Sequence, residues 1–217
     1  MENDVKEFLS ELLKQLKSID YIKPEDIPNI DLYMDQVTTF MDEQLAASKR
    51  YESDKILTKT MINNYAKNKL LPSPDKKKYS KEHVLTLLFI YYFKNILSIN
   101  DIRSILNPLT EKYFGNDDGF TMQDVYTEVF SLEAEESKKL LKDLGKKYKI
   151  AGETFEDFPD EDQKFLHTFS FICMLSFDVY IKKMLIERMI DNLNEEEEAS
   201  SHENTHSGKE SKKTGSK

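Results

Sequence analysis

Lys59, Asn63, Asn64, Tyr65, Lys67 and Lys69 fall within one helix-length of sequence, and Lys76, Lys77, Lys78 and Lys81 follow in a second short run. Side chains of these types suit one chemistry. Lysine ammonium groups neutralise phosphates, and an asparagine amide can donate to and accept from a single adenine edge. Between Lys55 and His83 eight lysines face only Asp75 and Glu82, so the window carries +6 in a chain whose formal net charge is −9. A compact basic island in an acidic protein is the electrostatic footprint of a polyanion partner. The plainer alternative is a solvated helix face, which has the same composition.

The elements that must hold these residues can be read around them. The Thr58 hydroxyl can accept from the first free amides of a helix. Met61, Ile62, Tyr65 and Leu70 then recur at helical spacing, and Pro72 and Pro74 stop the helix. This gives a short helix with an Ile/Tyr side facing inward and Lys59, Asn63, Asn64, Lys67 and Lys69 facing out. Asp31 to about Ser48 is the preceding helix, with Tyr33, Val37, Phe40, Met41 and Leu45 inward, and residues 46–55 form a hinge-like loop. That loop is longer than the turn of a standard helix-turn-helix. Ser80 caps the next helix, which runs to about Asn95, and Ser98 or Asn100 starts a short one through Leu106.

Other chemistry fails on spacing. His202-Glu203-Asn204-Thr205-His206 spells H-E-x-x-H, but the motif needs a buried helix and a further ligand, and here it lies in a polar tail. Asn116-Asp117-Asp118-Gly119 lacks the glycine at the sixth position of a calcium loop and reads as a turn. The six glycines are isolated, so no phosphate loop exists. His83 and His167 stand alone on helices. The chain is read as non-enzymatic, with no cofactor and no metal.

Cys173 is the single cysteine, which excludes an internal disulfide and suits a reducing compartment. No signal peptide is visible. Residues 165–181 are too short for a membrane span and contain His167 and Asp178, so they read as part of a buried core helix. The chain is expected to be soluble and cytoplasmic, with no membrane partner.

Flanking the island, residues 3–18 form an amphipathic helix on a stripe of Val5, Phe8, Leu9, Leu12, Leu13 and Leu16. Thr121 with Asp124 makes a capping-box start for a helix to about Lys149, with a break near Glu133. Glu161 to Leu193 is the longest helix and is apolar around most of its circumference, which requires cover on several sides, either a bundle core or a subunit interface. Residues 195–217 are polar and low in complexity, and are expected to be disordered.

Ile62-Asn63-Asn64-Tyr65 and Leu70-Leu71-Pro72 with Pro74 resemble the recognition-helix end of the MerR family of winged-helix regulators. Tyr79-Ser80-Lys81-Glu82-His83-Val84 resembles the segment after that family's wing. Leu87, Ile90 and Leu97-Ser98-Ile99-Asn100-Asp101-Ile102 are similar to its next helices. In this chain the wing is reduced to Asp75-Lys76-Lys77-Lys78, and Asn107-Pro108 is expected to interrupt the helix that follows. From Ile27 onward, with Ile30-Asp31-Leu32-Tyr33-Met34-Asp35-Gln36-Val37, the chain resembles more closely still a group of uncharacterised bacterial proteins, the domain of unknown function 1836 family. These resemblances imply a helix-turn-helix core and no established ligand.

The sequence thus predicts an all-α protein, a MerR-like helix-turn-helix with a truncated wing followed by a helical C-terminal bundle. Its parts are an N-terminal helix (1–26), a DNA-binding domain (27–109), a dimerisation or sensing region (110–194) and a disordered tail (195–217). The expected function is sequence-specific binding of double-stranded DNA by a transcriptional regulator, as a homodimer through 110–194 and answering to an effector that the sequence does not identify. The alternative is a protein–protein interaction module on a degenerate MerR-like fold. The absence of arginine from the island favours that alternative, since arginine is the usual bidentate reader of guanine.

Overall fold

The computed structural model of the chain describes residues 22–116 and 119–210, with Glu7, Ser10, Glu11 and Lys14, which are helical and exposed. The rest of the amphipathic helix expected at residues 3–18 lies outside the described residues, as do the side chains of 133–135 and most of those beyond Glu196. The fold is mostly helical: α1 (Met34–Gln44), α2 (Lys59–Lys67), α3 (Lys81–Phe93), α4 (Ile99–Tyr113), α5 (Met122–Ser131), α6 (Glu133–Gly152) and α7 (Asp160–Glu210). A two-stranded antiparallel ribbon joins β1 (Leu32–Tyr33) to β2 (Lys78–Tyr79), pairing Leu32 with Tyr79 and Tyr33 with Lys78. Among the described residues, no helix is long and apolar enough to cross a membrane.

Helix starts follow local chemistry. Thr58 accepts from the Met61 N–H at 3.2 Å. Ser98 and Asp101 exchange bonds at 3.2 and 3.0 Å, and Thr121 and Asp124 at 3.3 and 2.8 Å, two reciprocal caps that each satisfy two orphan donors. At the start of α3 the glutamate or glutamine position of such a box is taken by His83, whose Nδ1 accepts from the Ser80 N–H at 3.0 Å.

α3 is the centre. Every residue from His83 to Tyr91 is buried, so the helix needs partners on all sides. Val37 and Met41 of α1, Ile62 and Tyr65 of α2, Ile102 and Leu106 of α4, and Met122 and Tyr126 of α5 complete one continuous core with it. Phe89 meets Tyr126 and Phe130 with ring centroids 5.6 and 5.7 Å apart. The hydroxyl of fully buried Tyr126 donates to the Ile22 carbonyl at 2.8 Å and so ties α5 to the first residue of the core. The core therefore runs past residue 109, where the sequence places a boundary.

Several expectations change. Residues 32–33 are strand, not helix, and α1 begins at Met34. The 46–55 loop is pinned and not hinge-like: Lys94 Nζ donates to the Ile56 carbonyl at 2.7 Å, Lys49 pairs with Asp42 at 2.7 Å, and Ser48 bonds the Tyr91 hydroxyl. Pro108 does not interrupt α4, which passes through it. An interior proline costs about 3 kcal/mol, but buried Ile102 and Leu106 and half-buried Leu109 hold the helix against the core on both sides of it. The break near Glu133 falls at Leu132, between α5 and α6.

α7 departs most from expectation. It starts at Asp160, one residue from the expected position, and is the longest helix as expected, but it is not a buried core helix in the protomer: Phe165 is 70% exposed and Phe177 65%, and of its large apolar side chains only Ile190 is fully covered among the described residues. Sequence shows the apolar circumference and not what covers it. The helix also continues to Glu210, into the stretch expected to be disordered. Glutamates are good helix formers, and extending an existing helix adds a bond per residue with no new nucleus. Residues 211–217 lie outside the described residues.

Replacing Tyr126 by Phe keeps the ring and leaves the Ile22 carbonyl buried without its donor. We expect urea unfolding to show a loss of about 1–3 kcal/mol. A change below about 0.5 kcal/mol, the range of ordinary surface substitutions, would mean that the bond does not hold the two ends together.

Candidate nucleic-acid interface

α2 is nine residues long with one side committed to the core. Ile62 is fully buried and Tyr65 nearly so, so Tyr65 is a packing residue and its phenol, its pKa pushed up by burial, does not reach a surface ligand. Lys59, Asn63, Asn64 and Lys67 are exposed together on the other side. Lys59 is ion-paired across to Asp35 in the first turn of α1, a contact open to solvent and worth about 0–1 kcal/mol.

The C-terminus of α2 closes in a Schellman motif. The Leu70 N–H donates to the Tyr65 carbonyl at 2.9 Å and the Lys69 N–H to that of Ala66 at 3.1 Å, with Leu70 and Tyr65 both buried. The motif needs a residue in the left-handed region, the usual place of glycine, and Lys69 occupies it with φ 60°. Arg103 Nε fixes the same end from α4 by donating to the Asn68 carbonyl at 3.0 Å.

The Asp75–Lys78 segment, read in the sequence as a reduced wing, forms a two-residue hairpin turn. Asp75 and Lys78 pair across it, the Lys78 N–H donating to the Asp75 carbonyl at 2.7 Å. The central residues, Lys76 and Lys77, have φ 47° and 67°. Positive φ at both positions is the signature of a type I′ turn, whose preferred residues are Asn-Gly. Lys78, half-buried, lays its ammonium over the Tyr33 ring, 5.5 Å from the centroid, which couples the turn to the β1–β2 ribbon. Lys81 is half-buried in the first turn of α3.

Three lysines of the island therefore sit in left-handed backbone, each at a position where glycine or asparagine would be relaxed. For a side chain with a Cβ this conformation costs roughly 1–2 kcal/mol. The charge of these lysines is evident in the sequence, and the strain is not. Arg103 escapes sequence reasoning because it carries no motif, and β1 because it is too short for a periodic signal.

Beneath the turn lies His83. Its ring is buried, edge-on to Tyr79 at 5.5 Å and Phe114 at 4.7 Å, and its Nε2 has no hydrogen-bonding partner among the described residues. Burial lowers its pKa below the ordinary 6.5, and nearby backbone at Ser73 and Pro72 with the Asp31 carboxylate offsets only part of that.

Residues 22–129 match the model of a domain of unknown function, DUF1836. This stretch is a DUF1836 domain. It holds the buried core residues from Ile22 to Tyr126 and the whole basic island, while Ile190 of α7 joins the same core from outside it. No curated protein and no solved structure matches the chain.

In this DUF1836 domain the double substitution Lys76→Asn, Lys77→Gly should raise unfolding free energy by about 1–2 kcal/mol, because it relieves left-handed strain. An unchanged or lower urea midpoint would contradict the turn geometry. For His83 the native state holds the neutral ring, while the unfolded chain takes up a proton below about pH 6.5. Its contribution is complete above that pH and declines as the pH falls toward the lower native pKa. Between about pH 7.5 and 5.5, wild type should thus lose more stability than His83→Gln, which keeps a cap acceptor without the titration. Parallel curves for the two proteins would exclude the imidazole as the source.

Proposed function

We propose that α2 and the Asp75–Lys78 turn form a surface for double-stranded DNA, and that the DUF1836 domain serves a sequence-specific transcriptional regulator. Asn63 and Asn64 face base edges in the major groove, while Lys67, Lys69, Lys76 and Lys77 hold phosphates on either side. The observation that carries this reading is the occurrence of lysine at three strained backbone positions. Strain of that kind persists where a side chain's function outweighs its cost in stability. A solvated face needs no lysine at φ 60°, since any nearby relaxed position would keep the protein as soluble.

The surface also has the right division of labour. α2 is short, capped at Thr58 and clamped by Arg103 at its far end, so Asn63 and Asn64 are presented from a fixed element. The flanking turn is tied to the core through β2. With the whole chain at −9, the remainder of the protein repels a polyanion and orients the island toward it. The resemblance of Ile62-Asn63-Asn64-Tyr65 and Leu70-Leu71-Pro72 to MerR-type regulators supports the same reading.

Selection from random duplex DNA should yield an enriched site. On that site Asn63→Ala should weaken binding by about 1–3 kcal/mol while binding to random duplex is nearly unchanged. Replacing Lys69, Lys76 and Lys77 by Ser should weaken both DNAs and flatten the plot of log affinity against log salt by roughly one unit for each phosphate partner removed. Since the Asn-Gly turn should stabilise the fold, reduced binding by Lys76→Asn, Lys77→Gly cannot be ascribed to unfolding. If wild type binds no duplex tighter than about 10⁻⁵ M near physiological salt, where non-specific affinity lies, the regulator reading falls and a protein-binding module takes its place.

A further inference from the structure

The outer face of α7 has no cover among the described residues of the protomer. Its inner face packs on α6 and the turn after it: Phe171 meets Tyr148 at 5.4 Å, His167 bonds the Thr154 carbonyl at 2.8 Å, and Asp178 pairs with Lys147. Farther along, Lys183 donates to the Ile96 carbonyl at 2.8 Å and Ile190 is buried, so the helix is anchored to the DUF1836 domain as well. Opposite the α6 contacts, Phe165, Phe169, Ile172, Ser176 and Val179 form an exposed row with 4-3-4-3 spacing. That is the spacing of a coiled-coil seam.

The size of the face argues for an obligatory cover. With about 200 Å² for an aromatic side chain and somewhat less for an aliphatic one, the row with adjoining Phe177 and Tyr180 leaves about 700 Å² of apolar surface open. The largest patch on a monomeric protein is about 300–600 Å², and a standard interface takes about 800 Å² from each partner.

The charges select the occupant. The helix opens with Asp160, Glu161 and Asp162, and Lys182 stands exposed three residues beyond Val179. In a parallel pair the acidic starts would lie side by side and repel. In an antiparallel pair with its two-fold axis near Ile172, Glu161 of each copy comes opposite Lys182 of the other, on the flank of the seam away from Tyr180. We propose that this face is the dimer interface of the protein, and that its occupant is the same face of a second copy, antiparallel. The arrangement is isologous and closes on itself, burying up to about 1,400 Å² in total, within the range of specific interfaces. It does not depend on the DNA-binding reading.

Sedimentation of the full chain tests this. Wild type should be a dimer, and Phe169→Glu a monomer with an unchanged helical circular-dichroism signal, because Phe169 is already half-exposed in the protomer. Glu161→Lys and Lys182→Glu should each raise the dissociation constant by about tenfold, since each sets like charges opposite one another twice. An equimolar mixture of those two variants should recover wild-type association, because every pair in the mixed dimer is again of opposite charge. A monomeric wild type, a dimeric Phe169→Glu, or a mixture no tighter than its components would overturn the proposal. So would a drop of helical signal in Phe169→Glu, since it would make the face part of a protomer core.

Discussion

A helix that is buried on every side cannot choose its neighbours freely, and α3 imposes that constraint on the whole DUF1836 domain. From His83 to Tyr91 no residue faces water, so α1, α2, α4 and α5 must each turn an apolar side to it. Burying one such side chain contributes about 1.5–3 kcal/mol. This is why Pro108 is tolerated within α4 and why the 46–55 loop is bonded down onto Lys94 and Tyr91: the elements are held by what they bury and not by their own propensities.

The same constraint sets where the basic island can sit. α2 commits Ile62 and Tyr65 to the core, which turns Asn63, Asn64 and Lys67 outward without any choice of rotamer. β2 commits Tyr79, which sets the Lys76–Lys77 turn at the end of a two-residue ribbon. Among the described residues of the domain, left-handed backbone outside glycine occurs only at Lys69, Lys76 and Lys77, all of them exposed.

Much of this is legible in the sequence wherever one residue type has one local use. Thr58 and Thr121 cap the helices they were expected to cap, Ser98 and not Asn100 caps α4, and the island's lysines and asparagines are at least partly solvent-accessible while Tyr65 is buried. Features that depend on distant partners are not legible. β1 is two residues long and exists only because β2 lies beside it. Tyr126 is one more aromatic in a helical pattern until Ile22 is placed next to it. For α7 the apolar residues are evident, but periodicity shows only that a face needs cover, and none of the described elements of the protomer supplies it.

The bond between Tyr126 and Ile22 joins residues 104 apart in sequence. The entry and exit of the domain are thereby neighbours in space. A unit built this way behaves as a cassette: it can sit within a longer polypeptide, or follow another module, with little demand on the geometry of either connection.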